Sequence, residues 1–199
     1  MSFTTGTLRT IGLVAAGVLI AMGARPAAAE PPPPAGVRLD AVALNLSGIG
    51  RVGPQRLEIV IDRWSSDATR DNLIRTLEVR GADKLLDALQ DVKPRVGYIR
   101  TATSLGWDIL YAREDRLPDG GRRIVFATDR PMSFREAAGR PRSSEYEFMV
   151  CEIRLNRDGV GEGKLAPWTR ISFDGKNHVI ELENYGIEPV RLTEVSLER

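Results

Sequence analysis

The stretch Glu145-Tyr146-Glu147-Phe148-Met149-Val150-Cys151-Glu152-Ile153-Arg154-Leu155-Asn156-Arg157-Asp158-Gly159-Val160-Gly161-Glu162-Gly163-Lys164-Leu165 carries the pattern that decides the fold. Apolar and polar residues alternate around Asn156-Arg157-Asp158-Gly159, and alternation on both sides of an Asp-Gly turn marks two antiparallel strands. The alternation changes phase along the way. Odd positions start polar at Glu145 and Glu147 and become apolar at Met149, Cys151, Ile153 and Leu155, while even positions run from Tyr146, Phe148 and Val150 to Glu152, Arg154 and Asn156. A regular strand keeps its faces, so the core is expected to change sides near residues 148–150, at a bend, a bulge or a passage between packed layers. A second phase break separates Val190 and Leu192 from Val195 and Leu197. Both predict a strongly coiled sheet, barrel or sandwich in place of a flat single layer.

Strand signals continue outward from this hairpin. Leu39 to Leu46 puts Val42, Leu44 and Leu46 on one side, and Arg56 to Asp62 does the same with Leu57, Ile59 and Ile61. Further strands are predicted at 96–101, 107–114, 122–128, 169–173, 179–183 and 190–197, several joined by turns such as Pro118-Asp119-Gly120-Gly121 and Asp174-Gly175-Lys176-Asn177. Tight turns of this kind require antiparallel neighbours. Helical spacing is confined to one region. Ser65, Ser66 or Asp67 can cap a helix carrying Leu73, Ile74 and Leu77 and stopped by Gly81, and Asp83 can cap a second with Leu85, Leu86 and Leu89 before Pro94. The expected class is therefore mainly β: an antiparallel curled sheet, barrel or sandwich of about 8–10 strands with a pair of short helices inserted after the second strand.

The N-terminus reads as an export signal. Arg9 precedes the uncharged apolar run Ile11 to Met22, Arg25 and Pro26 follow, and Ala27-Ala28-Ala29 offers small residues where a signal peptidase needs them. Cleavage is predicted before Glu30. The apolar run is about a dozen residues against the roughly 20 that cross a bilayer, so no membrane anchor is expected after cleavage. The predicted organisation is a signal peptide over 1–29, a Pro-rich spacer over 30–37 containing Pro31 to Pro34, and a single β-rich domain over 38–199. The destination is periplasmic or extracellular.

Composition excludes several function classes. The chain has 28 basic and 27 acidic residues, and loss of Arg9 and Arg25 with the leader leaves one more acid than base. No nucleic-acid or anionic-membrane partner is implied. The single cysteine, Cys151, cannot form an internal disulfide and sits in a strand-like run as a small buried hydrophobe. With it, His178 is the only other strong metal or base candidate, and it falls at a turn. A His-dependent triad, a zinc site and a phosphate-binding Gly-Lys run all lack their residues, so no catalytic residue, metal ligand or cofactor is assigned. Asn156 to Glu162 is too short for a calcium loop and reads as a hairpin turn. Glu181 and Glu183 share a strand face opposite Ile180 and Leu182; the acids read as the solvated side and the aliphatics as the core side.

Aromatic and cationic residues remain. Trp107, Ile109, Tyr111 and Arg113 share one predicted strand face, with Tyr98 on the preceding strand and Trp64 at the end of another. On a curled sheet, Trp64, Tyr98, Trp107, Tyr111 and Arg113 are the candidate lining of a small-ligand site, the alternative being that they fill the core. The runs Cys151 to Leu165 and Ile180 to Leu192 resemble a family of uncharacterised exported bacterial β-rich proteins. That resemblance implies export and lends no activity. The functional expectation is a non-enzymatic exported domain that binds a small apolar or amphipathic ligand. The alternatives are a protein interaction module of the bacterial envelope, using a strand edge or the proline-rich arm, and a carboxylate-dependent hydrolase.

Overall fold

The computed structural model describes residues 36–45, 53–130, 147–176, 179–184 and 188–198. The predicted leader, most of the spacer, His178, and Glu145-Tyr146 lie outside these residues. Ten antiparallel strands and two helices follow in the order β1 (Val37–Asn45), β2 (Gly53–Ile61), α1 (Asp67–Arg80), α2 (Ala82–Gln90), β3 (Gly97–Thr101), β4 (Trp107–Ile109), β5 (Tyr111–Arg116), β6 (Arg122–Thr128), β7 (Phe148–Leu155), β8 (Val160–Asp174), β9 (Val179–Asn184) and β10 (Val190–Leu197). The mainly β class with a helix pair after the second strand is thus the class observed.

The sheet runs β4-β3-β2-β1-β10-β8-β7-β6-β5, with β9 attached to β8 off that path. Its two ends are one piece of chain. Strand β4 pairs with β3, strand β5 pairs with β6, and only Leu110 separates them. The Leu110 N–H donates to the Ala127 carbonyl at 3.1 Å, which carries the chain from one wall to the other and nearly closes a barrel. The segment 107–114, expected as one strand, therefore spans the closure. Ile109 and Ala112 both enter the barrel interior, while Leu110 and Tyr111 both lie on the outer side.

The interior is filled. Leu39, Leu57, Ile59, Ile61, Ile99, Ile109, Ile124, Phe126, Met149, Ile153 and Leu165 are all essentially without exposed surface, and Cys151 lies among them. Each large aliphatic or aromatic side chain so buried contributes about 1.5–3 kcal/mol against the entropy of ordering the chain. Small residues set how closely the walls curl. A Cβ on Gly161 would collide with the Arg154 carbonyl of the paired strand, so backbone approaches backbone there.

The two phase breaks have different origins. In β10, Leu192 pairs with Gly163 and Val195 with Gly161, so three steps on β10 match two on β8, and the pairing with β1 shows the same extra residue. This is a bulge, and Glu194 within it has φ 52°. Val190, Leu192 and Val195 all stay inside because of it. The expectation for β7 is corrected. That strand keeps strict faces from Phe148 to Leu155, with Met149, Cys151, Ile153 and Leu155 inward. Its even side begins apolar because the outer wall is itself covered there: Phe148 and Val150 pack in a second core with the helices. The extra residue belongs to the partner, since Phe148 pairs with Thr169 and Val150 with Ala166, and Pro167 and Trp168 lie in between. A bulge is one of the few sheet positions that tolerates proline. The two strands expected at 160–165 and 169–173 are in consequence one 15-residue strand, β8.

Helices α1 and α2 supply the cover. The Ser66 hydroxyl accepts the Thr69 N–H at 3.1 Å and caps α1, and Gly81, at φ 83°, ends it. Gly81 also stands at the cap position of α2, so Asp83 lies in the first turn of that helix and does not cap it. Leu73, Leu77, Leu85 and Leu89 form the buried stripe and meet Leu110, Phe148, Tyr111, Ile171 and Phe173 on the outer wall.

Candidate functional site

The five residues expected to line a ligand site occupy three different environments. Trp64 and Trp107 are half-buried against the barrel interior, and the Arg130 guanidinium stands 5.9 Å from the Trp107 ring centroid. Tyr111 packs beneath the helices, where burial raises its phenol pKa. Arg113, two residues on, turns outward to Asp67 at 2.7 Å and Asp115 at 3.2 Å. Tyr98 stands on the outer face, flanked by Arg95 and Arg100 at 5.5 and 5.4 Å from its ring centroid, with its hydroxyl donating to Glu58 at 3.0 Å. The shared face expected for Trp107, Ile109, Tyr111 and Arg113 is broken by the closure at Leu110. One observation stays attached to this set: among the described residues the buried Trp64 indole N–H has no hydrogen-bond partner.

Two shallow clefts lie on the outside. One of about 350 Å³ is lined by Asp40, Arg56, Glu58, Arg100, Thr101 and Ser104 among others. The other, about 330 Å³, involves Lys93, Arg95, Asp108 and Asp129. In the first, the Arg100 hydrogen bond holds the Glu58 carboxyl below its ordinary pKa, with the Tyr98 hydroxyl and the charge of Arg38 acting the same way against partial desolvation. A second outer ladder links Asp115 to Arg123 at 3.5 Å, Arg123 to Glu152 at 2.9 Å and Glu152 to Arg154 at 2.8 Å. Glu152 is held low mainly by Arg123. Every acid in these clusters that carries a shifted pKa is shifted toward its charged form by a saturating arginine, the arrangement of a structural ion pair and not of a general acid. Cys151 is enclosed in the barrel core, where burial pushes its thiol pKa far up and keeps it unreactive. Among the described residues no group of three or more His, Cys, Asp or Glu is placed to hold a metal ion.

The hairpin turns spend their polar groups locally. The Asn156 carboxamide oxygen accepts the N–H groups of Asp158 and Val160, both at 3.0 Å, so the calcium-like run is a turn as expected. Arg157 reaches the Asp119 carbonyl at 2.6 Å and ties this turn to the one between β5 and β6.

The surface feature that sequence reasoning missed is the ribbon made by the second half of β8 with β9. Beyond Thr169 the chain leaves the barrel path, and Ile171 faces Leu182 while Phe173 faces Ile180 across the ladder. Ile171 and Phe173 are half-buried under the helices, but Ile180 and Leu182, expected as core, are 42% and 54% exposed. They continue the second core as an apolar shelf that no described residue buries. The opposite face carries Val179, Glu181 and Glu183, with Val179 also 50% exposed. The alternation of Val179 to Glu183 was visible in the sequence; the exposure of its aliphatic side among the described residues was not.

Comparison with family models, curated proteins and solved structures returned no match. Among the described residues no helix is long and apolar enough to cross a membrane.

Proposed function

We propose that this chain is exported to the bacterial envelope and acts there as a non-enzymatic interaction module whose contact surface is the β8–β9 ribbon. The observation that carries this reading is the contrast between a barrel interior packed with aliphatic side chains and an apolar shelf, Ile180 and Leu182, left in solvent at the ribbon. An enclosed ligand needs space that Phe126, Met149 and Leu165 occupy, and a soluble domain rarely leaves adjacent aliphatics uncovered without a partner. Export rests on the leader-like residues 1–29 and is read by N-terminal sequencing of the secreted chain, expected to begin at Glu30.

The test is site-specific photo-crosslinking in native envelope. A crosslinker at position 181 is expected to give a discrete adduct that disappears in the Ile180→Ser/Leu182→Ser variant while its melting curve stays cooperative. The same crosslinker at position 154, at the exposed Arg154 on β7 of the barrel wall, is expected to give none. A saturable response to hydrophobic dyes or fatty acids that survives the ribbon substitutions would instead return the function to an enclosed ligand and overturn the proposal.

A further inference from the structure

We draw no further inference here: the strongest candidate, the apolar face of the β8–β9 ribbon at Ile180 and Leu182, belongs to the contact surface already described, and nothing in the structure shows what covers it.

Discussion

Replacing Phe126 by alanine tests the filled interior on which the functional reasoning stands. Phe126 has no exposed surface and sits mid-strand in β6, directly opposite Ala112 on β5 and Cys151 on β7. Its ring is surrounded by residues of a closed wall, which cannot collapse inward as a loop or an open edge can. Truncation of a buried phenylalanine costs about 3–5 kcal/mol, the upper part of that range applying where the surroundings cannot relax. Taking about 4 kcal/mol, and about 2–4 °C per kcal/mol for a domain of this size, the melting temperature is expected to fall by about 8–16 °C. Phe126→Leu, which keeps most of the volume, is expected to lose well under half of that. Thermal and urea unfolding followed by circular dichroism give both numbers. A sealed apolar cavity binds small apolar molecules, so benzene is expected to raise the melting temperature of Phe126→Ala and leave the wild type unchanged. A loss below about 1 kcal/mol in Phe126→Ala, or stabilisation of the wild type by benzene, would mean that the barrel already holds free space. The preference for a surface role over an enclosed ligand would then fall with it.

Two further expectations probe the outer wall. The pKa values of Glu58 and Glu152 are lowered in the folded state, so their contribution is fully present above the ordinary carboxylate value and is lost as pH falls through the folded one. The urea midpoint should therefore drop between pH 7 and about pH 3, and drop less in Glu58→Gln/Glu152→Gln, each exposed pair being worth about 0–1 kcal/mol; an unchanged pH dependence refutes the assignment. Glu147 has the opposite sign, since burial and then the charges of Asp83 and Asp87 raise its pKa, so Glu147→Gln is expected to stabilise at neutral pH and to lose that advantage in acid. Gly161→Ala drives a Cβ into the Arg154 carbonyl and is expected to cost about 2 kcal/mol or more, whereas Gly175→Ala, whose nearest neighbour is Phe173 at 4.0 Å, is expected to be near neutral in the same urea titration.

Much of the fold was legible because period and turn chemistry are local. The β7–β8 hairpin, the helix caps at Ser66 and Gly81 and the inward positions of Met149, Cys151, Ile153 and Leu155 follow from alternation, an Asx turn and helical spacing alone. What was misread depended on a second layer. The even side of β7 looked like a core that changes sides because the sequence of a strand does not reveal whether its outer face is covered by helices far earlier in the chain, here α1 and α2. The same blindness produced the opposite error at Ile180 and Leu182, where aliphatics at a perfect period of two stand 42% and 54% exposed. The aromatic face was lost for a topological reason. A barrel must join its first and last strands, and this chain does so inside one predicted strand, between Ile109 and Tyr111, so that residues two apart no longer share a face.

That closure also explains where the remaining edge falls. Wrapping a sheet into a barrel removes the unpaired N–H and C=O groups through which β proteins associate. Here the two terminal strands of the sheet, β4 and β5, are consecutive, so the natural edges consume each other. Strand β8 undoes this at one place. Its bulge at Pro167 and Trp168 reverses its faces, its second half runs on beyond the pairing with β10, and β9 folds back along that half alone. An accidental edge would be expected to be short, charged on both faces or covered. This one has six paired residues and an aliphatic face continuous with the second core. An aliphatic face left exposed conflicts with a ribbon that only has to stay in solution, and it agrees with the contact surface proposed for this ribbon.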